Sequence, residues 1–178
     1  MTRAAVVVPG RRYGVQAPLL AYAADAAADR GATVHAVSWT AEPSGEIAGW
    51  VSEQVTPVLD TAGERPLIIG KSLGSVAATL AADRGLPAVW LTPLLLEDTV
   101  VAALRRASAP FLLVGGTADE HAWDGAVARQ LTPHVCEVAG ADHVMRVPGP
   151  LAASAAVLGE VATAVERFLD KAVWTRRG

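Results

Sequence analysis

A serine, an aspartate and a histidine stand where they could together activate a hydroxyl group for attack on a carbonyl carbon. Ser72 lies at the centre of Gly70-Lys71-Ser72-Leu73-Gly74, directly after an apolar run. This G-x-S-x-G pattern is typical of a sharp turn from a strand into a helix, because only small residues fit two positions on either side of the apex. Such a turn would hold the Ser72 hydroxyl clear of a sheet, near the positive end of the following helix.

Acidic and basic side chains follow two later apolar runs. Asp119 ends the segment Gly115–Asp119, and His143 ends the segment Gly140–His143. A serine hydroxyl is a poor nucleophile until a base removes its proton, which an imidazole can do near neutral pH. A carboxylate can fix the tautomer of that imidazole and stabilise its charged form. These residue types therefore favour nucleophilic catalysis, provided that the fold brings them together.

Apolar β-rich runs alternate with helical patterns along the whole chain, and this alternation predicts how those residues are positioned. Continuous Val, Ile and Leu runs indicate strands buried on both faces, and the βα order indicates a parallel sheet between helices. We predict one doubly wound α/β domain over residues 1–178, with about six parallel strands. The predicted strands are Arg3–Pro9, Thr33–Trp39, Leu67–Gly70, Ala88–Thr92, Phe111–Gly115 and His134–Val138, and the predicted helices are Leu19–Arg30, Ile47–Ala62, Ser72–Arg84, Glu97–Ala107, Ala122–Leu131 and Leu151–Trp174. Ser72, Asp119 and His143 then all follow strands at the carboxyl edge of the sheet.

Composition excludes several classes of partner. The chain is 52% hydrophobic, carries a net charge of −3 and has no basic run, which argues against nucleic acid. No apolar stretch approaches membrane length, and no leader pattern opens the sequence. The single Cys136 allows no internal disulfide and fits a reducing compartment. We therefore predict a cytoplasmic protein with a small-molecule substrate, no membrane partner and an oligomeric state that the sequence leaves open.

Cofactor motifs are missing. Gly70-Lys71-Ser72 resembles the end of a phosphate-binding loop, but that motif needs glycine at position 65, which is arginine. The dinucleotide fingerprint fails because Arg12 stands where a second glycine is required. The histidines show no metal-ligand spacing, so we expect no metal and no cofactor. Lys71 itself is expected to be solvated or salt-bridged.

The three motifs together resemble those of the α/β-hydrolase superfamily, in which nucleophile, acid and histidine occur in this order. The likeness extends from the first strand to the last helix. It is closest to small, lidless, dienelactone-hydrolase-like members, because only Pro93–Pro110 lies where larger members insert a lid, and no strands precede Arg3. Those relatives often carry cysteine at the turn, where this chain has Ser72.

The resemblance implies a role for each site residue. Ser72 would be the nucleophile, Asp119 the orienting acid and His143 the general base, with Asp98 as reserve acid and Asp142 as a loop-turning residue. The backbone N–H groups of Leu73 and Arg11 would form the oxyanion hole. Loop positions near the strand ends suggest the pocket residues Arg12, Tyr13, Trp39, Leu94, His121 and Met145.

These observations favour a serine hydrolase that cleaves a small carboxylic ester or thioester through an acyl-enzyme on Ser72. Two alternatives stay open. One is a non-catalytic protein of the same fold that binds a ligand or a partner, and the other is an acyltransferase that uses the same triad.

Overall fold

The computed structural model describes residues 2–40 and 42–175, which form a single six-stranded sheet covered by helices. The strands are β1 (Arg3–Val8), β2 (Ala32–Ala36), β3 (Leu67–Lys71), β4 (Ala88–Leu91), β5 (Phe111–Gly116) and β6 (Val135–Val138). The α-helices are α1 (Pro18–Ala28), α2 (Ile47–Thr61), α3 (Ala78–Arg84), α4 (Asp98–Arg106), α5 (Gly125–Leu131) and α6 (Leu151–Phe168). A 3-10 helix (Ser72–Ala77) precedes α3, and a π-helical turn (Leu169–Val173) follows α6.

All neighbouring strands pair in parallel, in the order β2-β1-β3-β4-β5-β6. The chain builds outward from β1 to β2, crosses back over β1, and then adds β3 to β6 on the other side. The winding direction therefore reverses between β1 and β3. In open parallel sheets, ligands bind at the carboxyl ends of the strands beside this reversal. The predicted doubly wound α/β fold with a parallel sheet is confirmed.

Two hydrophobic cores cover the two faces of the sheet. Residues from α1 and α6, among them Leu20 and Val161, pack on one face. Residues from α2, α3 and α4, among them Val55 and Val100, pack on the other. Successive side chains of a strand point to opposite faces, so each buried strand contributes to both cores. This is why the strands appear in the sequence as continuous apolar runs rather than as alternating ones.

Three predicted helix boundaries differ from the structure by three residues or more. The helix predicted from Ser72 begins as a 3-10 helix and becomes α-helical only at Ala78. α5 begins at Gly125 instead of Ala122, because the Asp124 carboxylate accepts hydrogen bonds from two N–H groups of the first turn and so caps the helix there. The last helix passes into the π-helical turn at Leu169.

Residues 92–97 are the whole connection between β4 and α4, so no lid is inserted there. Among the described residues, no helix combines the length and the hydropathy needed to cross a membrane.

Candidate active site

Ser72 lies at the apex of a strained turn between β3 and the 3-10 helix. Its backbone φ is +51°, in the left-handed region that non-glycine residues rarely adopt. A Cβ atom on Gly70 would lie 2.9 Å from the carbonyl oxygen of Gly74, and one on Gly74 would lie 2.5 Å from that of Val8. The two glycines thus let the turn close on itself and let it pack against the end of β1. The spacing of the pentapeptide is explained by these two close approaches.

The loops that carry Asp119 and His143 are packed directly against each other. A Cβ atom on Gly116 would collide with the main chain of Ala141, so glycine is required where the two loops meet. The Ala118 N–H donates to the Ala141 carbonyl at 3.0 Å, and the Gly140 N–H donates to the Thr117 hydroxyl at 2.8 Å. The loops after β5 and β6 therefore form one unit at the carboxyl edge of the sheet.

The three predicted side chains meet in a continuous hydrogen-bonded chain. His143 Nε2 lies 2.9 Å from the Ser72 hydroxyl oxygen, and His143 Nδ1 lies 2.6 Å from Asp119 Oδ2. Because the carboxylate can only accept, it selects the tautomer with the proton on Nδ1. Nε2 is then free to accept the Ser72 hydroxyl proton. The Asp119 side chain is 2% exposed and that of His143 is 37% exposed, so only the imidazole end of the pair faces solvent.

Asp142 shapes the loop that carries His143. Its carboxylate oxygen Oδ1 accepts from the N–H groups of Val144 and Arg146, both at 2.9 Å. Its own N–H donates to the Arg146 carbonyl, also at 2.9 Å. This is the loop-turning role expected for Asp142. Asp98, the reserve acid, is exposed at the first turn of α4, and the carboxylate bonded to His143 is that of Asp119.

Lys71 is buried, and the expectation of a solvated or salt-bridged side chain is wrong. β3 extends one residue beyond the predicted strand, so Lys71 shares the interior face of Leu67 and Ile69 and is 2% exposed. Its ammonium donates to the His143 carbonyl at 3.1 Å and lies 4.8 Å from the centre of the Tyr13 ring. Burial lowers the pKa of Lys71 to about 8, against the opposing pull of nearby carboxylates. The alternation along β3 was the available signal for this placement.

A cleft of about 400 Å³ lies between the loops after β1 and β2. Its lining reaches the turn that carries Ser72 only through Pro9 and Gly10, and it includes neither Ser72 nor His143. Arg11, Arg12, Tyr13 and Trp39 line it, which brings four of the predicted residues together. The Trp39 indole is held in place because its Nε1–H donates to the Gly10 carbonyl at 3.0 Å and its ring packs against Trp50. Burial raises the pKa of Tyr13, so its phenol stays neutral.

Three other predicted pocket residues do not line this cleft. Met145 is buried in the core between the sheet and the helices α1 and α6. It is held with φ +61° by the tight loop around Asp142, whose carbonyl accepts its N–H. Leu94 is half-buried and packs against the opposite core, and His121 is exposed on the loop between β5 and α5. Their positions near strand ends did not determine the directions of their side chains.

The two predicted oxyanion donors lie on the segments that flank the turn. Leu73 is the second residue of the 3-10 helix, where backbone N–H groups lack partners within the helix. Arg11 follows Gly10, whose own N–H is already donated to the Tyr13 carbonyl at 3.0 Å. Within the described part of the chain, Arg11 is therefore the first residue of this loop whose N–H makes no hydrogen bond to another backbone group.

Cys136, the only cysteine, lies on β6 away from this site. Burial raises the pKa of its thiol to about 11, so it remains protonated near neutral pH and is a weak nucleophile. Within residues 2–40 and 42–175, no group of three or more histidine, cysteine or acidic side chains is arranged to hold a metal ion.

Comparison with known proteins identifies the architecture. Neither a protein-family model nor a curated protein sequence matches the chain. Among solved structures, a serine hydrolase homologue from Coxiella burnetii is 17% identical, with a TM-score of 0.72 over 95% of this chain and 86% of that one. The chain has the α/β-hydrolase fold.

Two further structures resemble this α/β-hydrolase fold. A serine hydrolase without a lid from Xanthomonas campestris is 18% identical, with a TM-score of 0.60 over 94% of this chain and 82% of that one. The esterase Pf2001 from Pyrococcus furiosus is 12% identical, with a TM-score of 0.69 over 97% and 84%. The resemblance to lidless structures of this fold agrees with the short connection between β4 and α4.

Proposed function

We propose that the protein is a serine hydrolase that cleaves a small carboxylic ester or thioester through an acyl-enzyme on Ser72. The observation that carries the proposal is the hydrogen-bonded chain in which His143 stands 2.9 Å from the Ser72 hydroxyl and 2.6 Å from the Asp119 carboxylate. A nucleophile, a base and an orienting group within hydrogen-bond reach are the arrangement that nucleophilic catalysis requires. Esterases and serine hydrolases among the structures of the same fold support this class of reaction.

The first half-reaction acylates Ser72. Its Oγ attacks the carbonyl carbon of the substrate while His143 Nε2 accepts the hydroxyl proton. Asp119 accepts the Nδ1–H and stabilises the imidazolium. The tetrahedral intermediate then collapses, the bond to the alcohol or thiol breaks, and the leaving group takes the proton from His143. The acyl group remains as an ester on Ser72.

The second half-reaction returns the enzyme to its starting state. Water attacks the acyl carbon and gives a proton to His143, and the acid is released as Ser72 regains its proton. In both halves, the N–H groups of Leu73 and Arg11 would stabilise the oxyanion, each contributing ~3–4 kcal/mol in well-formed sites. The partial exposure of His143 supports water as the acceptor, since solvent reaches the base directly.

The cleft between the loops after β1 and β2 supports a small substrate. Trp39 and Tyr13 would contact its apolar part, and both rings are held by hydrogen bonds to main-chain groups. A volume of about 400 Å³ without a covering lid suits a short acyl group better than a long lipid chain.

A fluorophosphonate probe tests the reaction class. We expect the wild-type protein to be labelled on one serine, because the probe reacts with hydroxyls activated by a base. Ser72→Ala should abolish labelling, whereas Ser52→Ala, a matched change on α2, should leave it intact. Folded wild-type protein that resists the probe would instead favour a ligand-binding protein of this fold.

A panel of p-nitrophenyl esters tests the substrate size. Acetate and butyrate should be turned over faster than long-chain esters, because the cleft has no tunnel to bury a long chain. A strong preference for long chains would contradict the small-substrate assignment. Product analysis with water and an alcohol in competition then separates hydrolysis, which yields the free acid, from acyl transfer, which yields the new ester.

A further inference from the structure

Lys71 is a buried ammonium group in a position that would suit an apolar side chain. It leaves β3 on the face that Leu67 and Ile69 share, and its end lies beneath the loops that carry Tyr13 and His143. Methionine has a similar length and no charge, and it would fill the same space without the loss of hydration that an ammonium suffers there. The fold alone therefore gives no reason for a lysine at this position.

The single side-chain hydrogen bond that Lys71 makes among the described residues points to a role in the site. Its Nζ donates to the carbonyl oxygen of His143 at 3.1 Å, across 72 positions of sequence. No carboxylate in the described part of the chain lies close enough to form a salt bridge with it. The other groups facing the ammonium are the Tyr13 ring and, at longer range, the carboxylates of Asp119 and Asp142.

This bond connects the two segments whose separation matters most for proton transfer. Lys71 directly precedes Ser72, and its partner is the main chain of the residue that accepts the Ser72 proton. The loop after β6 is tied to the loop after β5 through the Ala141 carbonyl, two residues before His143. The Lys71 bond ties the same loop to β3 at His143 itself.

We propose that Lys71 is a positioning residue, which holds the main chain of His143 so that its imidazole spans Ser72 and Asp119. It acts through His143 and does not contact the substrate. The inference rests on the proposed hydrolase function, in which the distance from His143 to Ser72 limits proton transfer.

Lys71→Met removes the donor and keeps the length of the side chain. We expect kcat for p-nitrophenyl butyrate to fall by roughly 10- to 100-fold, the cost of misplacing a catalytic group by a fraction of an ångström to one ångström. KM should change little, because the bond from the Leu19 N–H to the Tyr13 hydroxyl still holds the ring that lines the cleft. The melting temperature should stay within about 5 °C of wild type or rise, since a desolvated ammonium is replaced by an apolar group.

A spectroscopic readout separates positioning from a purely structural role. The proton on His143 Nδ1, in its short bond to Asp119, should give a far-downfield NMR signal in the wild-type protein. In Lys71→Met the signal should weaken or shift. Unchanged kcat and an unchanged signal would overturn the proposal, as would a large loss of melting temperature with the signal intact.

Thr92→Val is the matched control. Thr92 is buried at the end of the neighbouring strand β4, and its hydroxyl finds no hydrogen-bond partner within the described residues. Replacing it also removes a buried polar group at the same sheet edge, yet kcat and the His143 signal should stay as in wild type. If Thr92→Val moved both as far as Lys71→Met does, the effect would be general to the sheet edge and the proposal would fail.

Failure of the hydrolase proposal gives a different result. A wild-type protein that resists the fluorophosphonate probe would disprove that function, while the His143 signal would still report whether Lys71 positions the imidazole. If the wild-type protein is labelled and Lys71→Met keeps the wild-type kcat and His143 signal, only the positioning role of Lys71 is disproved.

Discussion

Hydrogen-bond directions at individual residues decide what His143 can do. The Asp119 carboxylate is a pure acceptor 2.6 Å from Nδ1, and it therefore leaves Nε2 unprotonated toward Ser72. An asparagine in its place could donate its amide N–H to Nδ1. That would move the ring proton to Nε2, and Nε2 could then no longer accept the hydroxyl proton of Ser72.

Asp119→Asn should therefore fold normally and lose roughly 10,000-fold in kcat, as expected when the wrong histidine tautomer is stabilised. Steady-state kinetics with a p-nitrophenyl ester and a circular dichroism melt would measure the two effects. Asp98→Asn is the matched change on the exposed first turn of α4 and should leave kcat unaltered. If Asp119→Asn kept near-normal turnover and Asp98→Asn or Asp142→Asn lost it, the acid role would belong to Asp98 or Asp142 instead.

Close approach between elements holds the serine turn in place. β1, β3 and the 3-10 helix meet where Gly74 lies against the carbonyl oxygens of Val8 and Pro9. No side chain fits this junction, and the strained φ of Ser72 persists because the surrounding elements enforce it. The glycine at position 74 of the sequence pattern is thus required by a tertiary contact between β1 and the turn.

Gly74→Ala should destabilise the protein by about 1–3 kcal/mol and reduce kcat, because its Cβ would stand 2.5 Å from the Val8 carbonyl oxygen. Gly159→Ala is the contrasting change within α6, where a Cβ would meet nothing within 4 Å. It should stabilise by ~0.5–1 kcal/mol, since alanine loses less conformational freedom in a helix. Chemical denaturation of both variants measures the difference. Equal stability of the two variants would contradict the packing assigned to Gly74.

On the scale of the whole molecule, a lysine buried at the carboxyl end of β3 makes stability depend on pH. The pKa of Lys71 is about 8 in the folded protein, below its ordinary value of 10.5, because burial disfavours the charged form. Between these two values the unfolded chain binds more protons than the folded one, so this group adds stability as pH rises. Below pH 8 the full free-energy cost of burying the charged Lys71 ammonium is present.

The stability of wild type relative to Lys71→Met should therefore increase from pH 7 to pH 10.5. The full change is about 3 kcal/mol, since one pKa unit corresponds to ~1.4 kcal/mol. Urea denaturation of both proteins at each pH measures it, and the other titrating groups cancel in the difference. Burial also raises the pKa of Tyr13, which faces the ammonium, so its phenol resists ionisation as the pH rises. A pH-independent difference would show that Lys71 titrates as an exposed lysine does.

The sequence by itself determined the parallel α/β architecture and the order in which Ser72, Asp119 and His143 follow their strands. Those features depend on periodicity, on chain order and on the small residues that a tight turn demands, all of which are local. The carboxyl ends of parallel strands share one edge, so the three residues had to lie near one another.

Only the tertiary structure decided which side chains meet and which do not. The 2.9 Å and 2.6 Å distances of the triad, the cleft beside Trp39, the burial of Met145 and the bond from Lys71 to His143 all join segments far apart in the chain. Lys71 shows the physical reason most plainly. Its residue type favours water, and alternation along β3 only assigns it to a face of the sheet. Its burial follows from the loops around Tyr13 and His143 that cover the end of β3, and those loops are distant in sequence.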